Sequence, residues 1–78
     1  MRISEEIKQD FVLLGLHIKK LREERELTIK DVFLKTGISI KYLQKIEKGL
    51  AYGVKLDKHL LKIAIAFKTN FSEIFNYK

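Results

Sequence analysis

The segment "SIKYLQKIEKG", residues 39–49, decides the fold that this sequence predicts. Its first residue is a serine, a good helix N-cap, and its last is a glycine, which commonly ends a helix. At about 100° per residue, Leu43 and Ile46 share an apolar arc, whereas the lysines and Gln44 form one polar stripe. Glu47 falls inside the apolar arc. The segment therefore predicts a short helix with a buried face, an exposed basic face and a carboxylate that needs a partner.

A first helix offers that partner. Upstream, apolar residues recur at spacings of four, three, four and three, which predicts a helix from the N-cap Ser4 to about Glu24. The residues of its core face are Ile7, Phe11, Leu14, Ile18 and Leu21. Arg22 borders this face near the end of the helix. Because an unpaired buried charge is costly, we expect a structural ion pair between Arg22 and Glu47 that joins the first and third helices.

Capping signals predict three more helices. Thr28 begins and Gly37 ends a short second helix, directly ahead of the third. Asp57 is interpreted as the N-cap of a fourth helix, and Asn70, followed by Glu73, as the start of a short fifth helix with a capping box. The expected inward-facing residues of the second and fourth helices are Val32, Thr36, Leu60, Ile63, Ala64 and Phe67, and the apolar residues of the fifth helix are Phe71, Ile74 and Phe75. The pattern predicts an all-α chain of five helices without an internal domain boundary.

The composition restricts the classes of function. The chain has 78 residues, 46% of them hydrophobic, and no cysteine, so it can form one small core but no disulfide, thiolate metal site or cysteine nucleophile. His17 and His59 have no cysteine or histidine neighbour at ligand spacing. No catalytic constellation, glycine-rich phosphate loop, membrane span or signal peptide is recognisable. We expect a cytoplasmic protein that is not an enzyme and takes no metal, cofactor, membrane or small-molecule substrate.

The positive charge is unevenly distributed along the chain. Residues 1–26 hold six Lys or Arg and six Asp or Glu, whereas residues 27–78 hold ten and four, so the second segment carries the whole net charge of +6. An excess of this kind favours a polyanionic partner, either nucleic acid or an acidic membrane surface. A solvated basic face without a partner remains the alternative.

Several motifs together carry a family resemblance. They are Gly15, "IKKLREE", "LTIKDVFLKTGISIKYLQKIEKG", "LLKIAIAF" and "FSEIF", and they cover about residues 11–75. This combination resembles the Cro and lambda-repressor-like helix-turn-helix family, also called XRE. The resemblance implies an all-α, five-helix lambda-repressor-like DNA-binding domain over residues 1–78, with the helix-turn-helix formed by helices 2 and 3. Within that family the chain is similar to controller proteins of restriction-modification systems, which are small dimeric regulators.

The resemblance also implies which residues face DNA. Those expected at base edges are Ile40, Lys41, Gln44 and Lys45. Lysine can donate to guanine O6 and N7, glutamine can bond adenine, and Ile40 can touch a thymine methyl or simply cover the edge of the core. The expected phosphate contacts are the backbone amide of Ile29 and the side chains of Lys30, Tyr42, Lys48, Tyr52 and Lys55. Any exposed helix face can carry Lys and Gln without such a role.

The chain departs from the family pattern at several positions, and two of these are Ile29 and Glu26. Ile29 stands where many members have a glutamine that meets phosphate, which leaves only its backbone amide for that contact. Glu26 takes the place of a glycine that ends the first helix. Both departures concern the details of DNA docking and not the fold.

Apolar residues are left over outside the predicted core. They are Val12, Leu16, Leu61, Ile65 and Tyr77. On so small a chain such residues either wrap a second side of the core or form a two-fold contact. We expect a homodimer, because one short recognition helix provides little specificity and paired half-sites one turn apart are the usual solution for this motif.

The sequence therefore predicts a dimeric, sequence-specific transcriptional regulator, of repressor or controller type. Its partner is double-stranded DNA with a palindromic operator, and its recognition helix is residues 39–48. An alternative is a protein-interaction module on the same fold, since "IKYLQKIEKG" also resembles the helix-turn-helix of the cytoskeleton-linked protein RodZ. An antitoxin component is a variant of the regulator hypothesis. A peripheral membrane-binding helix is disfavoured, because the excess charge surrounds the turn motif.

Overall fold

The computed structural model describes residues 4–53 and 55–77. The helices are α1 Glu5–Glu24, α2 Ile29–Thr36, α3 Ile40–Glu47, α4 Lys55–Ala66 and α5 Phe71–Ile74, and the described residues contain no strand. The prediction of an all-α chain of five helices is confirmed. No helix in this part of the chain combines the length and apolar character needed to cross a bilayer.

The helix starts follow the capping signals. The Ser4 hydroxyl accepts a hydrogen bond from the N–H of Ile7, and that of Ser39 accepts one from Tyr42. Thr28 and Asp31 form a capping box, since each side chain accepts the other's backbone N–H, at 3.0 and 2.8 Å. The N–H of Thr28, which donates to the carboxylate, lowers the pKa of Asp31. These caps satisfy amides that have no partner within the helix.

The prediction for the start of α4 is wrong. The helix begins at Lys55, so Asp57 lies in its first turn and is not its N-cap. A carboxylate is favoured there by the positive end of the helix dipole, which produces the same sequence signal as a cap. For α5 the predicted N-cap is correct, because the Asn70 side chain accepts the N–H of Glu73 at 3.0 Å, which is one of the two hydrogen bonds of the predicted capping box.

The core lies between all five helices. Its buried residues are Leu14, Ile18, Leu21, Val32, Ile38, Leu43, Ile46, Ala51, Leu56, Leu60, Ile63, Ala64, Phe67 and Ile74. Ile7 is wrongly predicted as a core residue and is 49% exposed. It lies in the first turn of α1, at the rim of a cleft shared with Phe75. Phe71 and Phe75 are also exposed and meet edge to face, which leaves Ile74 as the buried residue of α5.

Two glycines let α1 approach α3 closely. A Cβ on Gly15 would overlap the carbonyl oxygens of Ile46 and Glu47 at the end of α3. Gly49, just after α3, has φ 75°, and a Cβ there would lie 2.6 Å from the Cα of Val12. The absence of side chains at both positions therefore fixes how deeply α3 sits against α1.

Polar contacts fasten α1 to the C-terminal helices. Arg25 donates from Nε to the carbonyl of Phe67 at 2.9 Å, and its guanidinium lies over the Phe67 ring. His17 Nε2 lies 2.8 Å from the carbonyl of Glu73. Glu26, which takes the place of the expected glycine, has φ 56° and so adopts the left-handed conformation that a glycine would adopt more easily.

Candidate nucleic-acid interface

Helices α2 and α3 form a helix-turn-helix joined at Gly37. Gly37 ends α2 with φ 76°, the left-handed conformation that lets the chain turn sharply. Leu43 and Ile46 are the buried residues of α3. The four residues predicted at base edges, Ile40, Lys41, Gln44 and Lys45, are all exposed. The buried face of α3 thus fixes its orientation, and the predicted contact residues point away from the core.

The lysines of this face are free of carboxylates. Between described residues the ion pairs are Lys8 with Glu5 and Arg22 with Glu47. Lys41 and Lys45 on α3, and Lys48 at its end, take part in neither. Their charges are therefore not neutralised within the described protein and are available to an external anion.

The carboxylate inside the apolar arc of α3 has the partner expected for it. Arg22 donates from Nε to Glu47 Oε2 at 2.7 Å and from Nη2 to Oε1 at 3.2 Å, and its Nη1 donates to the carbonyl of Leu27 at 2.8 Å. Both side chains are only 12% exposed. The hydrogen bond to Glu47 raises the pKa of Arg22. This bidentate pair ties the ends of α1 and α3 together.

One shallow depression lies on the outer face of the helix-turn-helix. It is lined by Ser39, Lys41, Tyr42 and Lys45. Tyr42 is half-buried and packs on the core, and its ring lies 4.7 Å from that of His59 on α4. A phenol and two lysines at one rim form a suitable surface for a phosphate or for the polar edge of a base.

A second depression lies between α1 and α3. Its lining residues are Val12, Leu16, Lys19, Arg22, Ile29, Gln44, Glu47 and Lys48. It brings the predicted phosphate residues Ile29 and Lys48 next to Gln44. It also contains Lys19, which was not among the predicted phosphate residues because residues 1–26 have no net charge. Lys19 precedes Arg22 by three residues and therefore shares its side of α1, and that spacing was the available signal.

The other predicted phosphate residues lie outside both depressions. Lys30 is exposed in the first turn of α2, and Lys55 is exposed at the start of α4. The ring of Tyr52 packs edge to face against Phe11 of α1, with centroids 4.8 Å apart.

The comparisons with known proteins agree with this geometry. The family model HTH_3, described as helix-turn-helix, matches residues 18–74. The chain belongs to the HTH_3 family. HTH_3 proteins are the XRE type of DNA-binding helix-turn-helix transcription regulators, a family of regulators and not of enzymes. A search of the curated proteins gave no match.

Two solved structures share the HTH_3 fold of this chain. The restriction-modification controller protein C.AhdI from Aeromonas hydrophila superposes with a TM-score of 0.78 at 24% identity, over 86% of this chain and 98% of that one. An HTH_3 family transcriptional regulator from Vibrio cholerae superposes with a TM-score of 0.78 at 28% identity, over 88% of this chain. The match spans only 38% of the Vibrio protein. The resemblance to the XRE family is confirmed.

The predicted dimer residues of this HTH_3 protein occupy separate surfaces. Val12 and Leu16 are exposed on α1, in the depression that also holds Gln44 and Lys48. Leu61 and Ile65 are exposed on α4. Tyr77 is half-buried against the core of its own chain, with its ring 6.0 Å from that of His17. The structure adds two exposed apolar residues, Phe71 of α5 and Phe75, the C-cap of that helix.

No group of three or more His, Cys, Asp or Glu that could hold a metal ion occurs among the described residues. His59 is half-buried, and its Nδ1 is buried without a hydrogen-bond partner in the described structure. Burial, followed by the nearby charges of Lys62 and Lys55, lowers the pKa of His59 from its ordinary value of 6.5. The imidazole is therefore neutral at pH 7.

This shift predicts a pH dependence of stability. The unfolded chain binds a proton at residue 59 more readily than the folded chain does, so the His59 contribution is complete above about pH 6.5 and is lost as the pH falls below it. The melting temperature should fall more between pH 7.5 and pH 5.5 for the parent than for His59→Phe, because phenylalanine cannot bind a proton. Equal losses in the two proteins would contradict the prediction.

Proposed function

We propose that residues 1–78 form a single sequence-specific DNA-binding domain that regulates transcription as a homodimer on a palindromic operator. In this proposal α3 with its cap, residues 39–48, enters the major groove. The observation that carries it is the exposed outer face of α3. There Lys41, Gln44 and Lys45 lie opposite a buried apolar face, and neither lysine has a carboxylate partner among residues 4–53 and 55–77. A recognition helix needs one face packed on the core and an opposite polar face that is exposed to DNA.

The outer face of α3 is proposed to read the bases. Lys41 and Lys45 can donate to guanine, Gln44 can bond an adenine through both amide atoms, and Ile40 at the start of the helix can contact a thymine methyl. All four are exposed on the surface of α3. Sequence selectivity is therefore expected to depend on these side chains.

The surrounding residues are proposed to hold the DNA backbone. The depression between α1 and α3 offers Lys19 and Lys48 beside the backbone amide of Ile29, which has no partner within α2. The Lys30 side chain is exposed in the first turn of the same helix and is proposed as a further phosphate contact. On the other side of α3, the Tyr42 hydroxyl is proposed to donate to a phosphate, with Tyr52 and Lys55 as outer contacts. Such contacts fix the register of the protein on the duplex without reading its sequence.

The two-fold contact is proposed to involve α4 and α5, which pack closely on each other. Of the predicted dimer residues, Val12 and Leu16 share a depression with the DNA-facing Gln44 and Lys48, so a partner seated there would obstruct DNA. Leu61 and Ile65 lie on α4 and are free of this conflict, as are Phe71 and Phe75 at the two ends of α5. One chain measures 33 × 24 × 17 Å, a size at which two chains can reach half-sites about 34 Å apart.

Selection of bound sequences from random duplex DNA tests the function. Enrichment of an inverted repeat is the expected result. An absence of enrichment would overturn the proposal and favour the protein-interaction module.

The dimer surface has its own test. Ile65→Lys is expected to turn a dimer into a monomer in sedimentation at micromolar concentration, because it places charges at the proposed two-fold contact. Leu34→Lys is the matched control, since Leu34 on α2 is 68% exposed and Ile65 is 69% exposed. A parent that sediments as a monomer, or a dimer unaffected by Ile65→Lys, would exclude this surface.

Mutation should distinguish the side chains that read the bases from those that contact the phosphates. Lys45→Ala or Gln44→Ala is expected to cost about 1 to 3 kcal/mol of binding on the selected site and to relax the preference at one base position of each half-site. Folding should be nearly unchanged, because both side chains are exposed. Binding titrations on the selected site and on single-base variants measure both effects. Parent-like binding by the Lys41, Gln44 and Lys45 variants would remove the main residue-level support for a recognition helix.

Phosphate contacts should show a different signature. Lys19→Ala and Lys48→Ala are expected to weaken binding to all sequences alike and to lower the slope of log affinity against log salt by about one unit per contact on each subunit. Lys20→Ala is the matched control, because Lys20 is also on α1 but lines a different depression, beside Asn76 and Tyr77. An equal change in slope for Lys19→Ala and Lys20→Ala would place Lys19 outside the interface.

A further inference from the structure

The recognition helix is linked to α4 by one aromatic contact that the sequence does not reveal. Helix α3 packs closely on α1 and α2, whereas within the described segments α3 and α4 do not pack closely. The rings of Tyr42 and His59 nevertheless meet, with centroids 4.7 Å apart and planes tilted by 56°. The two rings thus meet although the backbones of α3 and α4 are not in close contact.

Tyr42 lies on the proposed DNA-binding surface, so a contact that orients its ring affects that surface. It is half-buried, packs on the core, and lines the outer depression together with Ser39, Lys41 and Lys45. Its backbone N–H is held by the Ser39 hydroxyl at 3.2 Å. The backbone of Tyr42 is therefore fixed by the cap, and the direction of its phenol depends on the surface beneath the ring.

His59 provides that surface as a ring and not as a charged or hydrogen-bonding group. Its Nδ1 is buried without a partner, which a histidine retained for a hydrogen bond at that atom would not show. Burial and the neighbouring lysines keep the imidazole neutral, as described above. What remains is flat aromatic area against the phenol, a favourable contact in this tilted arrangement.

We infer that His59 is a positioning residue for DNA binding, whose ring holds the Tyr42 phenol at the edge of α3 so that its hydroxyl can donate to a DNA phosphate. The inference rests on the proposed function and assigns a role in it to a residue of α4. His59 itself touches no DNA. Its effect passes through Tyr42, and a flat aromatic ring of similar size should replace it.

A double-mutant cycle tests this coupling on the selected operator. Tyr42→Phe removes the hydroxyl and is expected to weaken binding about tenfold per half-site, without changing the salt slope, because a neutral donor releases no counterion. His59→Ala should cause a similar loss. The double variant should be no weaker than either single variant, because both remove the same contact. His59→Phe should bind like the parent.

The controls separate positioning from folding. His17→Ala removes an imidazole that contacts the carbonyl of Glu73 and not Tyr42. It should leave the affinity of the folded fraction for the operator unchanged. If His59→Ala does not fold, the aromatic variant decides the question. His59→Phe must then retain the parent's affinity, and Tyr42→Phe must still cost about tenfold in that background.

Three results would overturn the inference. They are parent-like binding by His59→Ala, losses of His59→Ala and Tyr42→Phe that multiply in the double variant, and binding by His59→Phe as weak as that of His59→Ala. A parent that selects no DNA sequence overturns the proposed function instead, so the two failures are distinguishable.

Discussion

Replacing Arg22 with alanine is expected to lower the free energy of unfolding by about 3 kcal/mol. The guanidinium holds Glu47 through two hydrogen bonds and the Leu27 carbonyl through a third, with both charged side chains only 12% exposed. Removal of Arg22 leaves the Glu47 carboxylate desolvated without a cation. Glu47→Ala should be about as damaging, because it leaves the guanidinium in the same position. Urea unfolding at pH 7 measures both losses.

An exposed ion pair on the same helix is the matched control. Lys8 Nζ lies 3.4 Å from Glu5 Oε1, with side chains 50% and 89% exposed, and Lys8→Ala should change stability by less than about 0.5 kcal/mol. Replacement of Arg22 and Glu47 together by leucine should cost less than either alanine variant, because no lone charge remains. Unfolding midpoints equal to the parent for Arg22→Ala and Glu47→Ala would show that the pair contributes nothing to the fold.

Gly49→Ala is expected to destabilise the fold by about 3 to 4 kcal/mol, the sum of backbone strain and steric overlap. Gly49 has φ 75°, which a Cβ disfavours, and that Cβ would lie 2.6 Å from the Cα and 2.7 Å from the N of Val12. Because backbone atoms of α1 cannot rotate aside as a side chain can, the two helices must separate. In a domain of this size such a loss approaches the whole stability.

Gly37→Ala isolates the backbone-strain part of that effect. Gly37 has φ 76°, almost the same value, but a Cβ there would meet nothing within 4 Å. Its loss should therefore be limited to the conformational cost of about 1 to 2 kcal/mol. The difference between the two variants in denaturant unfolding measures the close approach of α1. Equal losses would mean that α1 can move away from residue 49 at no cost.

The sequence determined the features that depend on short separations along the chain. Caps act over about three residues, so Ser4, Thr28, Ser39 and Asn70 were recognisable from their neighbours. Helical periodicity identified the buried faces in the same way. The limits of these signals are visible too. A carboxylate in a first turn and an N-cap look alike, as at Asp57, and a periodic apolar residue at a helix end need not reach the core.

Tertiary structure decided every feature that depends on which helix faces which. Helical periodicity indicates that Glu47 needs a partner, but only the packing of α1 on α3 brings both of its carboxylate oxygens to Arg22. Charge counts along the chain concealed Lys19, because they ignore that α1 lies beside α3. The ring contact between Tyr42 and His59, and the approach of Val12 to Gly49, join residues on separate helices. Their distances follow from the packing of the whole core, a collective property that no local pattern contains.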